Sequence, residues 1–265
     1  MGEEDESPAR TGERADYGID APPVIRNLVL AGVAALGLAG VIRAHLWNGQ
    51  FRVGPVQVDL AGAPGVIAVA CLGLAGYMVW SSRWGKLAAR DRLLDSVGMR
   101  GDERVLDVGC GRGLLLLGAA RRLTTGTAIG VDLWNSEDLS GNSAEATLEN
   151  ARREGVAARV RVETADMRQL PFPDGSFDLV VSRAAIHNVY EATGRAKALK
   201  EIARVLAPGG RVVIDDIRHL PEYAQALRAA GLEAVTLQRN ALSSGLLTVL
   251  TFGSIRHGVV RARKP

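Results

Sequence analysis

Residues 105–113, Val-Leu-Asp-Val-Gly-Cys-Gly-Arg-Gly, decide the fold of this 265-residue chain. The apolar residues at the start favour a β-strand, and glycines follow at Gly109, Gly111 and Gly113. This order predicts a buried strand that runs into a glycine-rich turn and then into a helix. Because the turn has few side chains, a small molecule can approach its backbone closely.

The glycine spacing and one acid distinguish two classes of ligand that bind at a sheet edge. A dinucleotide fold has the spacing Gly-x-Gly-x-x-Gly, whereas this chain has Gly-x-Gly-x-Gly. Asp107 precedes the first glycine by two residues, and its carboxylate would repel a pyrophosphate but attract an ammonium group. The residues therefore favour S-adenosylmethionine over NAD. A tight turn that binds no ligand is the alternative.

Polar residues also follow the other predicted strands. Asp132 ends the second strand at the position where an acid holds ribose hydroxyls, and Leu133 after it can cover an adenine ring. Asp166 and Met167 end the third strand; Asp166 can accept a hydrogen bond from an adenine amino group, and Met167 can contribute its backbone amide. Ser182 ends the fourth strand. These strands are predicted over residues 128–132, 160–167, 177–182 and, for the fifth, 211–215. Since open α/β sheets bind ligands at their carboxyl edge, these residues predict one site.

The sequence resembles class I S-adenosylmethionine-dependent methyltransferases, most of all the branch that includes quinone and sterol C-methyltransferases. The resemblance covers about residues 85–265 and implies a Rossmann-like α/β domain with a seven-stranded sheet. Its motifs are residues 105–113, 132, 166–167, 170–178 and 201–210. It implies S-adenosylmethionine as cofactor, with Asp107, Gly109 and Gly111 at the methionine moiety, Asp132 at the ribose, and Asp166 with Met167 at the adenine. Cys110, Gly113, Leu133 and Ser182 complete the predicted cofactor site.

Composition excludes several other functions. The net charge is only +3, and the basic residues are scattered instead of interleaved with aromatic residues, so nucleic-acid binding is not expected. Two cysteines, Cys71 and Cys110, are too few for a disulfide framework or a metal cluster, and no metal site is expected. Residues 1–23 are acidic and polar, which predicts a mobile N-terminal tail.

Residues 24–84 contain two long apolar segments, over about 28–47 and 61–80. Each approaches the roughly 20 residues that a helix needs to cross a membrane, and neither has the charged face of a surface helix. Small residues at Ala31, Ala35 and Ala39 share one helical face and permit close packing, including packing in a homodimer. We expect a transmembrane hairpin. A signal peptide and a buried hairpin of a soluble domain are the alternatives.

The charges that flank the apolar segments predict their orientation. Four basic residues follow the second segment, whereas the connection between the segments has two. The positive-inside rule therefore predicts a multi-pass protein of the cell membrane with its catalytic domain in the cytoplasm. The four residues are Arg83, Lys86, Arg90 and Arg92, and interfacial tryptophans are expected at Trp47, Trp80 and Trp84.

The stretch after the fourth strand holds the candidates for chemistry. His187 has the pKa range of a general base, although a helix-face histidine bonded to neighbours is an alternative. Arg183, Asn188 and Tyr190 are candidate substrate contacts, with solvent or packing roles as alternatives. Arg183 can instead pair with an acid at the next strand end, Asp215 or Asp216.

We therefore expect a membrane-anchored methyltransferase that acts on a lipophilic acceptor such as a quinone, a sterol-like molecule or another lipid. Residues 241–252 are very apolar and predict a lid, a membrane patch or ordinary core. Three alternatives stay open. The chain can be a cofactor-binding scaffold without turnover, a membrane-localised enzyme for a soluble acceptor, or a soluble methyltransferase whose hairpin dimerises.

Overall fold

The computed structural model describes residues 14–45, 50–59, 62–239 and 257–265. These residues divide into two compact units. The smaller unit comprises residues 18–87 and 137–140, and the larger one comprises the described residues up to Tyr17 with residues 88–136 and 141–265.

The smaller unit is built on two apolar helices joined by a short hairpin. Two prolines at the start of the first helix suit its first turn, where backbone N–H groups lack intrahelical partners. A single π-helical turn over Ser81–Gly85 links the second helix to a third. The elements are α1 (Pro22–His45), β1 (Gln50–Val53), β2 (Val56–Asp59), α2 (Gly62–Trp80) and α3 (Lys86–Asp95). The two apolar helices thus lie where the sequence predicts them, with a β-hairpin in the connection.

Helices α1 and α2 pack on each other through small residues. A Cβ on Gly32 would lie 2.7 Å from Leu72 Cγ, so only glycine allows this approach. Most of their large apolar side chains face outward; Leu30 is 61% exposed and Val69 is 73% exposed. Both helices are long and apolar enough to cross a membrane, by length and composition only.

The predicted mobile tail is wrong for residues 14–21. Tyr17 is buried in the larger unit, where its hydroxyl donates to Glu154. In the smaller unit, Ile19 exchanges hydrogen bonds with Ser140, and Lys86 Nζ donates to the Gly18 carbonyl at 2.7 Å. Residues 1–13 lie outside the described part of the chain.

The larger unit contains the predicted seven-stranded sheet. The strands are β3 (Arg104–Val108), β4 (Thr127–Asp132), β5 (Val160–Thr164), β6 (Phe177–Arg183), β7 (Leu206–Asp216), β8 (Glu233–Arg239) and β9 (Gly258–Arg263). Their order in the sheet is β5-β4-β3-β6-β7-β9-β8. The pairs from β5 to β7 are parallel, and β9 is antiparallel to both β7 and β8. The helices are α4 (Leu114–Ala120), α5 (Ala144–Arg153), α6 (Ala192–Val205) and α7 (Leu220–Ala229). The Rossmann-like α/β fold is confirmed.

The strand order places the ligand site. The chain moves outward from β3 to β4 and β5, then returns to the other side of β3 with β6 and β7. Leu106, Val180 and Ile214 are buried in the centre of this sheet and anchor its strands. Open sheets bind ligands at the carboxyl edge where the order reverses, which here lies beyond β3, β4 and β6. The apolar stretch over residues 241–252 lies outside the described residues.

Candidate active site

The glycine turn after β3 is packed so closely that it requires glycine. Gly109 has φ +74°, and a Cβ on it would collide with the Cβ of Ala185. Its N–H donates to the Val131 carbonyl at 2.8 Å, which ties the turn to β4. Gly113 has φ +87° and starts α4, so the left-handed backbone falls at both ends of the turn. The result is a bare backbone surface at the carboxyl edge of β3.

Asp107 is a buried acid beneath this turn. Its Oδ2 accepts a hydrogen bond from the Leu116 N–H at 2.8 Å. Burial raises the pKa of Asp107 to about 8, and the nearby negative charge of Asp132 acts in the same direction. A cationic group bound beside Asp107 would reverse this shift by stabilising the carboxylate. The site is therefore suited to an ammonium group.

Asp132 joins the glycine turn to the loop after β4. Its Oδ2 accepts from the Gly111 N–H at 2.8 Å, and its Oδ1 accepts from the Trp134 N–H at 2.7 Å and from Asn142 Nδ2 at 3.2 Å. Since a carboxylate has about four acceptor positions, Oδ2 retains capacity for a ligand hydroxyl. Leu133 is 61% exposed beside it. The role of Asp132 at a ribose and that of Leu133 at an adenine stay predictions.

Asp166 has a partner that the sequence reasoning missed. The guanidinium of Arg168 lies 2.6 Å from Asp166 Oδ2, and the Arg168 N–H donates to Oδ1 at 2.8 Å. The hydrogen bond from the Arg168 side chain holds the pKa of Asp166 below its usual range. Met167 Cε lies 3.7 Å from the Cβ position of Gly109, so it packs against the glycine turn. An adenine amino group would have to compete with Arg168 for this carboxylate.

Two predicted cofactor ligands, Ser182 and Cys110, make contacts within the protein that stabilise the site, and their cofactor role stays a prediction. The buried Ser182 hydroxyl donates to the Val108 carbonyl at 2.7 Å and thereby links β6 to β3. The Cys110 thiol is buried next to Gly130, and burial followed by the negative charge of Asp107 raises its pKa. These side chains stabilise the strands and the turn, and their polar atoms are engaged or buried there.

His187 forms a buried pair with Asp216. The residue lies on a 3₁₀ turn after β6, and its Nδ1 is 2.6 Å from Asp216 Oδ1. Asp216 also accepts from the backbone N–H groups of His187 and Ile217 and from the Tyr223 hydroxyl. This acceptor-rich setting favours a proton on Nδ1, which leaves Nε2 with a lone pair. The alternative of a locally bonded histidine is thus realised at Nδ1, and the role of His187 as a general base stays a prediction.

The three candidate substrate residues have different surroundings in the structure. Arg183 pairs with Asp215 at 3.1 Å, as the alternative prediction had it, and His257 Nε2 lies 2.6 Å from the other oxygen of Asp215. Asn188 is half-buried on the same 3₁₀ turn as His187. Tyr190 is 91% exposed. A substrate role for Asn188 and Tyr190 stays a prediction.

Comparison with known proteins relates part of the chain to methyltransferases. Residues 106–214 match the family described as "Methyltransferase domain". The chain is 32% identical over 161 residues to 27-O-demethylrifamycin SV methyltransferase of Amycolatopsis mediterranei strain S699, with 61% of this chain and 53% of that protein covered. It is 36% identical over 111 residues to a ubiquinone/menaquinone biosynthesis C-methyltransferase of Geotalea daltonii, covering 42% and 44%. Residues 106–214 are thus similar in sequence to methyltransferase domains.

The structural comparison agrees on the fold. Geranyl diphosphate methyltransferase in complex with SAM matches the structure with a TM-score of 0.53 at 19% identity, over 75% of this chain and 90% of that one. The chain spans about half the length of the curated relatives it matches.

The residues of this candidate site fit S-adenosylmethionine, the ligand in the matched methyltransferase complex. The buried acid Asp107 suits the amino group of the methionine moiety, and the bare backbone at Gly109 leaves room that any Cβ would fill. Asp132 has acceptor capacity for a ribose hydroxyl. Among the residues that the structure describes, no group of three or more His, Cys, Asp or Glu side chains is arranged to hold a metal ion.

Sequence reasoning missed several residues around the methyltransferase site. Arg168 carries a sequence signal, since a basic residue two positions after Asp166 can fold back on it. Asn150 and His257 carry none, because each meets its partners only through long-range packing. Asp216 was expected only as a possible partner of Arg183, and the structure pairs it with His187.

Proposed function

We propose that this chain transfers a methyl group from S-adenosylmethionine to a lipophilic small-molecule acceptor at a membrane surface. The observation that carries the methyl-transfer part is the buried acid Asp107 beneath a glycine turn that admits no Cβ at Gly109. The membrane part rests on the exposed apolar surface of α1 and α2.

The bound donor supplies an electrophilic methyl group on a sulfonium sulfur. This chain's residues bind and orient the donor through Asp107, Asp132 and the glycine turn, and they supply a base. His187, held by Asp216, presents Nε2 to accept a proton from an acceptor hydroxyl, amine or acidic carbon. The pair lies at the carboxyl end of β7, two strands from β3 in the sheet, and so on the same edge as the donor residues.

The membrane proposal follows from the cost of exposing α1 and α2 to water. Burying one Val, Leu or Ile side chain contributes about 1.5–3 kcal/mol, and many such side chains face outward on both helices. A core helix of a soluble protein would bury most of these residues, and α1 and α2 bury few. Trp80 and Trp84 are also exposed, at the end where interfacial anchors are expected. Basic residues after α2 favour a cytoplasmic methyltransferase domain.

The acceptor class is inferred from the membrane setting and from the relatives. One relative is named for ubiquinone/menaquinone biosynthesis, and we extend that chemistry to a quinone or another lipid acceptor here. An enzyme anchored by two helices meets its highest concentration of acceptor in the bilayer. Homodimer formation through α1 and α2 belongs to the same proposal, because their glycines leave open helix surface at Gly37 and Gly73.

The donor part is tested by isothermal titration of detergent-solubilised protein with S-adenosylmethionine. Binding with one site per chain is expected, and a lack of binding would leave a methyltransferase fold that acts as a scaffold. The control variant Asp178→Asn changes an acid at the amino end of β6 and should bind as the wild type does.

The acceptor part is tested by incubating the protein with membrane lipid extract and methyl-labelled donor, followed by mass spectrometry. We expect label in the lipid fraction, whereas label only in water-soluble metabolites would indicate a membrane-localised enzyme for a soluble acceptor.

Phase partition without detergent tests whether α1 and α2 anchor the protein in the membrane. Recovery of a dimer in the aqueous phase would favour the soluble alternative.

A further inference from the structure

The residues just before α1 are attached to α5 within the larger unit. The Asn150 side chain accepts the Asp16 N–H on Oδ1 at 2.9 Å and donates from Nδ2 to the Asp16 carbonyl at 2.8 Å. One buried amide thus satisfies both polar backbone groups of one residue, across 134 positions of sequence. Two hydrogen bonds in one ring fix the position of Asp16 more strictly than a single contact would.

The same helix holds the glycine turn of the donor site. Asn150 Nδ2 also donates to the Arg112 carbonyl at 3.0 Å, and Thr147 Oγ1 donates to the Gly111 carbonyl at 2.7 Å. Thr147 and Asn150 are three residues apart and therefore share one face of α5. Both side chains are buried. Two successive carbonyls of the turn are thus held by α5.

Two further contacts join the N-terminal segment to this arrangement. Arg112, inside the glycine turn, donates from its guanidinium to Asp16 Oδ2 at 3.1 Å. Tyr17 donates its hydroxyl to Glu154, the residue that caps α5, and Arg90 donates to that hydroxyl at 3.2 Å. Asp16 is therefore bound to Asn150 and to the glycine turn, and Tyr17 is bound at the C-terminal end of α5.

We propose that Asp16 and Tyr17, linked to α5 through Asn150, are positioning residues that hold the glycine turn in its donor-binding conformation. The inference rests on the proposed donor binding. Glycine-rich backbone has the most conformational freedom to lose, so a turn that is ordered beforehand lowers the entropy cost of binding. Without these contacts the donor itself would have to order the turn, and its affinity would fall.

The test uses full-length protein in detergent and isothermal titration with S-adenosylmethionine and S-adenosylhomocysteine. Asn150→Ala removes the link. Asp16→Pro removes the backbone N–H that donates to Asn150 and also the Asp16 carboxylate. Each is expected to raise the Kd about tenfold, because the glycine turn loses a contact that orders it before the donor binds. The matched control Asp16→Ala keeps the backbone N–H and should raise the Kd less than about threefold, because its ion pair is exposed.

Two readouts separate positioning from general stability. Arg152→Ala changes the exposed face of α5 and should leave the Kd unchanged. The double variant of Asp16→Pro and Asn150→Ala should bind about as weakly as Asn150→Ala alone, because both remove one shared contact. Wild-type Kd values in the single variants, or effects that multiply in the double variant, would overturn the inference. If wild-type protein itself does not bind the donor, the proposed function fails instead.

Discussion

Asp107 is expected to lose a proton when the donor binds. Burial raises its pKa to about 8, so the side chain is mostly protonated at pH 7 before binding. The amino group of the methionine moiety is a cation below about pH 8, and beside Asp107 it would stabilise the carboxylate. Donor binding and ionisation of Asp107 are therefore linked.

The size of the effect follows from this pKa. If Asp107 must be ionised and the donor amino group protonated in the complex, pKa values of about 8 for both predict that the Kd for S-adenosylmethionine falls about 25-fold between pH 6 and pH 8. Above about pH 8 the donor's own amino group loses its proton, so the affinity should reach its maximum there. Near pH 7 about one proton should be released for each donor bound.

Isothermal titration in two buffers with different ionisation enthalpies measures both the Kd and the number of protons released. Asp107→Asn should bind weakly, with a Kd that is independent of pH between 6 and 7.5. Asp178→Asn, at the amino edge of the sheet, should keep the full pH dependence. The reasoning is refuted if wild-type protein binds equally well at pH 6 and pH 8 and releases no proton.

The same pKa affects the stability of the fold. The folded-state pKa lies above the ordinary value of 3.8, so the folded protein holds this proton more tightly than the unfolded chain does. The free energy of unfolding therefore contains a contribution that decreases as the pH rises from about 4 to about 8. Asp107→Asn should remove that part of the pH dependence, which urea unfolding at several pH values can measure.

Three further predictions concern the base, the glycine turn and the adenine site. His187→Ala should lower turnover by about 10²–10⁴-fold with an unchanged Kd for the donor, measured by label transfer and titration, and equal turnover would make the residue structural. Gly109→Ala should abolish donor binding and destabilise the fold beyond the roughly 1–2 kcal/mol of a left-handed alanine, because its Cβ has no room. Gly155→Ala, with φ +69° and open space, should show that backbone cost alone. Arg168→Gln should tighten donor binding by up to about fivefold by releasing Asp166, since an exposed ion pair is worth at most about 1 kcal/mol, and weaker binding would mean that Arg168 supports the site.

The residues proposed to bind the donor could be predicted from local sequence, because they lie at the ends of strands. A strand, a glycine turn and an acid at a set spacing are short-range features, and parallel strands bring their carboxyl ends to one edge in any doubly wound sheet. Asp107, Asp132 and Asp166 therefore lie where the sequence places them. Ser182 lies at a strand end as well, but its neighbour across the sheet accepts the hydroxyl.

The pairing of His187 and the position of the N-terminal segment depend on side-chain partners that no local sequence pattern predicts. Composition suggested a mobile tail up to residue 23, because acidic and polar residues bury little by themselves. Tyr17 is nevertheless buried, since a single aromatic residue finds Glu154 and Arg90 far away in sequence.

The sequence by itself thus determined the α/β fold, the glycine turn and the donor class, because periodicity and strand-end residues act over a few positions. Tertiary structure alone decided which groups distant in sequence are paired. It oriented His187 through Asp216 and linked Asp16 to the glycine turn through Asn150. Such pairs depend on the register and the facing sides of elements that are distant in sequence, and only the folded chain brings those sides together.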